Sequence, residues 1–227
     1  MKLKTNVYLM SLVAIAGLFM IMHVASCTHD DTIPPSGGGN GPDITRGTDH
    51  VSFVNAATFD KVHSSVNWAT PYLGALGVLT GKFNNFGFNS FSFYEDKPDS
   101  IYFEAWVWLN TVNTGEPNRD GGCLLGTFGT TAGATTEETN LAVIKSKQVE
   151  FSTTDKGYIV TADFTFHGVT KEITAKLDYI GKTSIGTDVY EYGLQLTFSI
   201  LAISDFGIES TSIADNVDIK CAGNFKQ

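Results

Sequence analysis

Tyr190-Glu191-Tyr192-Gly193-Leu194-Gln195-Leu196-Thr197-Phe198-Ser199-Ile200 decides the fold. Every even-numbered residue in this stretch is large and apolar, and every odd-numbered one is polar or glycine. Successive strand side chains point to opposite faces, so such a strand has one apolar face and one wet face. A helix would scatter the same residues around its circumference. The alternation returns in Tyr158, Val160, Ala162, Phe164 and Phe166, in Ile173, Ala175, Leu177 and Tyr179, and in Val217, Ile219 and Cys221. Ile101, Phe103, Ala105, Val107 and Leu109 form another row, although Trp106 and Trp108 load its opposite face as well. Turn-forming residues separate the runs at Asp155-Lys156-Gly157, at His167-Gly168-Val169 and from Gly181 to Gly186.

Further strands are expected near 62–69, 79–84, 86–94 and 148–153, giving about eight or nine in all. Long strands with one apolar face belong to an antiparallel sheet with one side in water. A sheet of that size closes more comfortably than it stays open, because closure removes the exposed edges. The expected fold is all-β, an extended eight-stranded antiparallel barrel able either to fill itself with side chains or to hold one small ligand. Residues 120–147 break the rhythm and read as one long loop, or a loop carrying a short helix near Glu137 to Lys145.

Composition agrees with a packed domain. Of the 227 residues only 17% are charged while 12% are aromatic, 16 of them Phe, which excludes disorder for most of the chain. The net charge of −9 argues against a nucleic-acid partner, since phosphate binding needs basic patches and none is visible.

The first 26 residues read as a leader. Lys2 and Lys4 precede an uncharged, mainly apolar run from Val7 to Met22, too short for the ~20 residues of a spanning helix. The run ends in Val24-Ala25-Ser26-Cys27, which resembles the bacterial lipobox, so residues 1–26 are expected to be cleaved and Cys27 acylated. Residues 27–50, rich in Pro, Gly and Asp, form the expected acidic tether, and the domain proper runs over 51–227. Losing Lys2 and Lys4 but none of the 24 acidic residues takes the net charge from −9 to −11. Such a chain is repelled by an anionic lipid surface, which a spacer relieves. The expected location is the cell envelope of a Gram-negative bacterium, lipid-anchored, with the periplasmic and surface-exposed alternatives both open. His29-Asp30-Asp31 resembles the export signal of surface lipoproteins of the Bacteroidota.

Several segments together resemble a known family. They are His63-Ser64-Ser65-Val66-Asn67-Trp68 after Asp60, Thr80-Gly81-Lys82-Phe83, Thr114-Gly115 and Arg119-Asp120. Phe164-Thr165-Phe166-His167-Gly168-Val169-Thr170-Lys171 and Ser204-Asp205-Phe206-Gly207-Ile208 follow in order. From about Asp60 to Phe225 the chain resembles the YceI-like, polyisoprenoid-binding periplasmic proteins. The resemblance implies a lipocalin-like barrel whose interior holds a long apolar chain, a polyisoprenoid or a fatty-acyl derivative. The chain departs from the family where Arg119-Asp120-Gly121-Gly122-Cys123 stands for Arg-Asp-x-His-Leu, and where Ile203 replaces an Arg ahead of Ser204. Its segment after Arg119 is also longer and rich in Thr.

The expected ligand-contacting residues are Trp68, Phe83, Phe86, Phe103, Phe164, Phe166, Leu196, Phe198 and Phe206. Apolar cavities suit long hydrocarbons, each buried methylene contributing ~0.8 kcal/mol. The expected partners are therefore a long-chain apolar lipid and, through Cys27, a membrane. The oligomeric state is open, a homodimer included. The alternative is a surface lipoprotein with a filled barrel that binds a protein or glycan through its loops or through Tyr102, Trp106 and Trp108 on its outer face.

No enzyme is expected. His63 and His167 lie far apart with no metal-ligand spacing, and neither a nucleophile elbow nor a phosphate loop is present, so neither metal nor cofactor is expected. Asp205-Phe206-Gly207 lacks every other part of a kinase. Arg119-Asp120 reads as an ion pair or loop brace. A Cys123–Cys221 bridge is open in an oxidising compartment, although Cys221 shares an apolar strand face and suits a buried thiol.

Overall fold

The computed structural model describes residues 46–74, 76–136 and 140–227; the expected leader, Cys27 and most of the tether lie outside them. The twelve strands are β1 His50–Ser52, β2 Thr58–Phe59, β3 Ser65–Tyr72, β4 Gly77–Phe83, β5 Phe86–Tyr94, β6 Tyr102–Trp108, β7 Val112–Asn113, β8 Leu141–Ser152, β9 Gly157–Phe166, β10 Val169–Gly186, β11 Val189–Leu201 and β12 Asn216–Lys226. They form one antiparallel sheet in the order β1-β5-β6-β8-β9-β10-β11-β12-β3-β4-β7, with β2 also on β12.

This sheet curls into a half-barrel of the lipocalin-like kind. Alternation causes the curl, because one face must bury Tyr192, Leu194, Leu196, Phe198 and Ile200 of β11 against Tyr158, Val160, Ala162, Phe164 and Phe166 of β9. Each large side chain so buried contributes roughly 1.5–3 kcal/mol. Tyr190, expected in the same row, stands past the end of the core and is exposed.

Among the described residues no continuous ladder closes the barrel. The outer edge of β4 takes only β7, through Lys82–Asn113 and Phe83–Val112, while β5 pairs with β6 and β1. Hydrogen bonds at one corner bridge the seam instead. Asn84 N donates to Thr111 O at 3.0 Å, Asn85 N to Thr111 Oγ1 at 2.9 Å, and Trp108 N to Asn85 O at 2.9 Å.

The break at 120–147 resolves differently from expectation. The helical segments Pro117–Arg119, Asp120–Leu124 and Leu125–Thr127 run on as one helix, α1, whose middle turn is a π-bulge. Of the stretch Glu137 to Lys145, expected as loop or short helix, residues 137–139 lie outside the described residues and Leu141–Lys145 belongs to β8, because Ala142 and Ile144 enter the core between β6 and β9. The strand was hidden by a bulge between Ser146 and Gln148 that reverses the parity, so the inward set continues at Val149 and Phe151.

At the domain start β1 begins at His50, one residue ahead of the expected boundary. Asp49 accepts a 2.9 Å bond from the Tyr179 hydroxyl and pairs with Lys182. The His167-Gly168 hairpin is as expected. Both residues have positive φ (52° and 74°), the conformation of a tight two-residue strand turn. His167 Nδ1 lies 3.1 Å from Phe206 O, so this ring nitrogen is held by the fold.

Candidate functional site: an apolar cavity under helix α1

The barrel is not filled. A cavity of about 680 Å³ runs inside the curled sheet, within the ~300–1,000 Å³ typical of ligand sites. The structure brings eight of the nine expected residues to its wall: Trp68 and Phe83 from β3 and β4, Phe86 and Phe103 from β5 and β6, Phe164 and Phe166 from β9, and Leu196 and Phe198 from β11. Phe206 is the exception. It is 1% exposed and packs behind the wall, with ring centroids 5.6 Å from Phe164 and 5.7 Å from Phe166. It lies in a turn between β11 and β12, and Gly207 there has φ +68°.

Sequence reasoning missed several lining residues. Phe88 and Phe91 both line the cavity, because a bulge between Phe88 and Ser90 reverses the parity of β5. Helix α1 lays Arg119, Cys123, Leu124 and Thr127 along one end, and Phe128 follows. The four-residue spacing of Arg119, Cys123 and Thr127 was the available signal, obscured by Gly121, Gly122 and Gly126.

Two cross-strand Trp–Gly pairs shape the wall. Trp68 of β3 faces Gly81 of β4, and Trp106 of β6 faces Gly87 of β5. A Cβ on Gly81 would stand 2.5 Å from Trp68 Cζ2, and one on Gly87 would stand 2.8 Å from Trp106 Cζ2. Glycine is needed at both positions to let an indole lie flat across the neighbouring strand. Trp106 and Trp108 are consequently half-buried, and Tyr102 is the exposed member of the expected outer aromatic row. The interior cavity and this half-buried row both depart from the filled, outwardly aromatic barrel of the alternative reading.

Polar groups in the lining are few. The indole Nε1–H of Trp68 is buried and has no acceptor among the described residues. Arg119 is half-buried and is the one charged side chain among the described residues that line the cavity. Of the two expectations for Arg119-Asp120 the ion pair is not formed, and Asp120 is instead a loop brace, accepting bonds from Thr114 N at 3.0 Å and Thr114 Oγ1 at 2.6 Å. Those bonds tie α1 to the end of β7. Cys221 lies in the wall and burial pushes its thiol up to about 12; Cys123 is exposed, and both thiols are free.

The charged cluster near the family-like His63 is a brace of the sheet. Asp60 Oδ1 caps the turn Lys61–His63 through Val62 N and His63 N, while Oδ2 meets His63 Nδ1 at 2.8 Å and Lys226 Nζ. The bond from Lys226, then that from His63, holds this carboxyl well below the usual carboxylate range. Glu191 approaches the same pair, but Lys226 already supplies the positive charge.

A YceI-like domain matches residues 58–225. A UPF0312 protein of Vibrio parahaemolyticus serotype O3:K6 is 30% identical over 163 residues, 70% of this chain and 79% of that protein. One from Pseudomonas aeruginosa strain LESB58 is 28% identical over 152 residues, 65% of this chain and 72% of that protein. Among solved structures, BcnA of Burkholderia cenocepacia superposes with a TM-score of 0.54 at 16% identity, covering 74% of this chain and 99% of that one. A polyisoprenoid-binding domain from Saccharophagus degradans gives 0.50 at 18%, covering 75% and 97%. At these identities the two structures speak for the fold, and the match over residues 58–225 speaks for the family: the chain belongs to the YceI-like family.

Proposed function

We propose that this protein binds a long-chain apolar lipid, a polyisoprenoid or fatty-acyl derivative, and carries or sequesters it at the cell envelope. The cavity carries the reading: about 680 Å³ enclosed by Phe, Leu, Ile and Val, with Arg119 as its one charged lining residue among those described. Such a site offers a hydrocarbon ~0.8 kcal/mol per buried methylene and offers a reacting bond no acid, base or nucleophile in a constellation. The polyisoprenoid-binding description of the Saccharophagus degradans domain supports the same class of ligand. Binding without catalysis is thus the proposed activity.

The same proposal includes cleavage after residue 26 and acylation of Cys27, which would hold the carrier beside a membrane that supplies its ligand. Labelled palmitate incorporated by the native chain and lost in Cys27→Ala supports the anchor; equal labelling of both contradicts it. For the ligand, protein purified without detergent is extracted with organic solvent and the extract examined by mass spectrometry. A reproducible long-chain molecule in stoichiometric amount is expected. An empty extract, together with no uptake of a fluorescent lipid, would overturn the proposal.

A further inference from the structure

We infer that the ligand is an anionic amphiphile, a long apolar chain ending in a carboxylate or phosphate, and that Arg119 on α1 holds its oxyanion head. This deepens the reading of the cavity as a lipid site and rests on it. Four observations carry the inference. Arg119 lines an otherwise uncharged cavity, and none of the ion pairs between described residues involves its guanidinium. Its sequence neighbour Asp120, the nearest candidate counter-ion along the chain, is already engaged by Thr114. Trp68, which clusters with Leu124 and Leu125 of the same helix, gives that end of the cavity an apolar wall beside the guanidinium. Finally, Arg119 shares its helix face with exposed Cys123, so it stands at the rim, where a head group can keep contact with water while its tail enters.

A guanidinium is a donor only, so what it lacks is an acceptor. An oxyanion supplies several lone pairs in the geometry that a guanidinium fork matches. An alcohol, ketone or quinone head would give one acceptor and leave the charge unpaired in partly apolar surroundings, which is costly. A free inorganic anion could pair with Arg119 but would leave the hydrophobic wall unused. The combination of one cation with a long apolar wall therefore selects for charge and tail together.

The test is displacement of an uncharged fluorescent apolar dye from the intact protein by four competitors: palmitate, hexadecyl phosphate, hexadecanol and inorganic phosphate. Palmitate, hexadecyl phosphate or both should compete roughly tenfold to hundredfold better than hexadecanol, the span of a charged hydrogen bond. Inorganic phosphate should not displace the dye. In Arg119→Gln the charged and neutral lipids should become equal, with hexadecanol unchanged from the native protein. Arg119→Lys should retain part of the preference. Equal competition by all three lipids in the native protein overturns the inference, as does an Arg119→Gln variant, folded by circular dichroism, that keeps the preference or weakens every lipid alike. Displacement by inorganic phosphate at the concentrations of the lipids overturns it too, in favour of a bare anion site. Failure of the dye and of every long-chain competitor to bind would instead remove the lipid reading beneath it.

Discussion

The two ends of the half-barrel solve opposite problems with similar residues. At the end away from α1, Phe93 is fully buried and meets Tyr158 at 5.4 Å and Tyr179 at 5.0 Å between ring centroids. Both hydroxyls are anchored, Tyr158 to Glu95 O at 2.6 Å and Tyr179 to Asp49 Oδ2 at 2.9 Å. Aromatic rings with tethered tips make a plug. At the α1 end the aromatics Trp68, Phe83, Phe128 and Phe166 stand around a space, and Arg119 and Trp68 Nε1 there have no partner among the described residues. Aromatic content alone therefore does not tell core from site; what differs is whether each polar tip has found a partner in the fold.

If the plug is structural, Phe93→Ala should be the most damaging single change, costing about 3–5 kcal/mol in urea denaturation because it empties a fully enclosed space. A loss below about 1 kcal/mol would erase the contrast between the ends. Gly81→Val should be next, at roughly 1–3 kcal/mol, since its Cβ would have to displace the Trp68 indole. Tryptophan fluorescence should shift with it, and an unshifted spectrum would mean that the indole does not lie against Gly81.

A pH titration sharpens the comparison from the other side. Burial first, then the nearby Glu95, pushes the Tyr158 hydroxyl up to about 12 from an ordinary 10. Below pH ~10 its contribution is fully present; as pH rises from ~10 towards about 12 the unfolded state loses its proton first, so stability falls. Tyr158→Phe should flatten part of that alkaline decline, and an unchanged slope would show that this ring is not the group responsible. The smallest effect belongs to α1. A Cβ at Gly122 meets nothing within 4 Å, so Gly122→Ala should stabilise the helix by up to ~1 kcal/mol. Destabilisation there would mean that the π-bulge needs glycine.

Much of this was legible in the sequence, for a physical reason. Strands β9, β11 and β12 show period two because each has one face in the core and one in water, so Phe164, Phe166, Leu196 and Phe198 could be assigned to the interior directly. Strands β5 and β8 were harder. Each carries a bulge, and a single extra residue moves the rest of the apolar row to the opposite parity, hiding Phe91 and the first half of β8. Phe206 was misplaced because turn residues can be buried as deeply as strand residues, and type alone does not distinguish the wall from what lies behind it. Arg119-Asp120 was read as an ion pair or a loop brace; only the fold shows that Asp120 alone is the brace, spending both oxygens on Thr114.

The central claim, that an apolar chain lies inside a cavity of limited size, is tested most directly by affinity across a homologous series of fatty acids. Affinity should climb steeply with chain length, by at most about fourfold per methylene. It should then level off once the cavity of about 680 Å³ is full. Affinity independent of chain length, or absent at every length, would contradict the account.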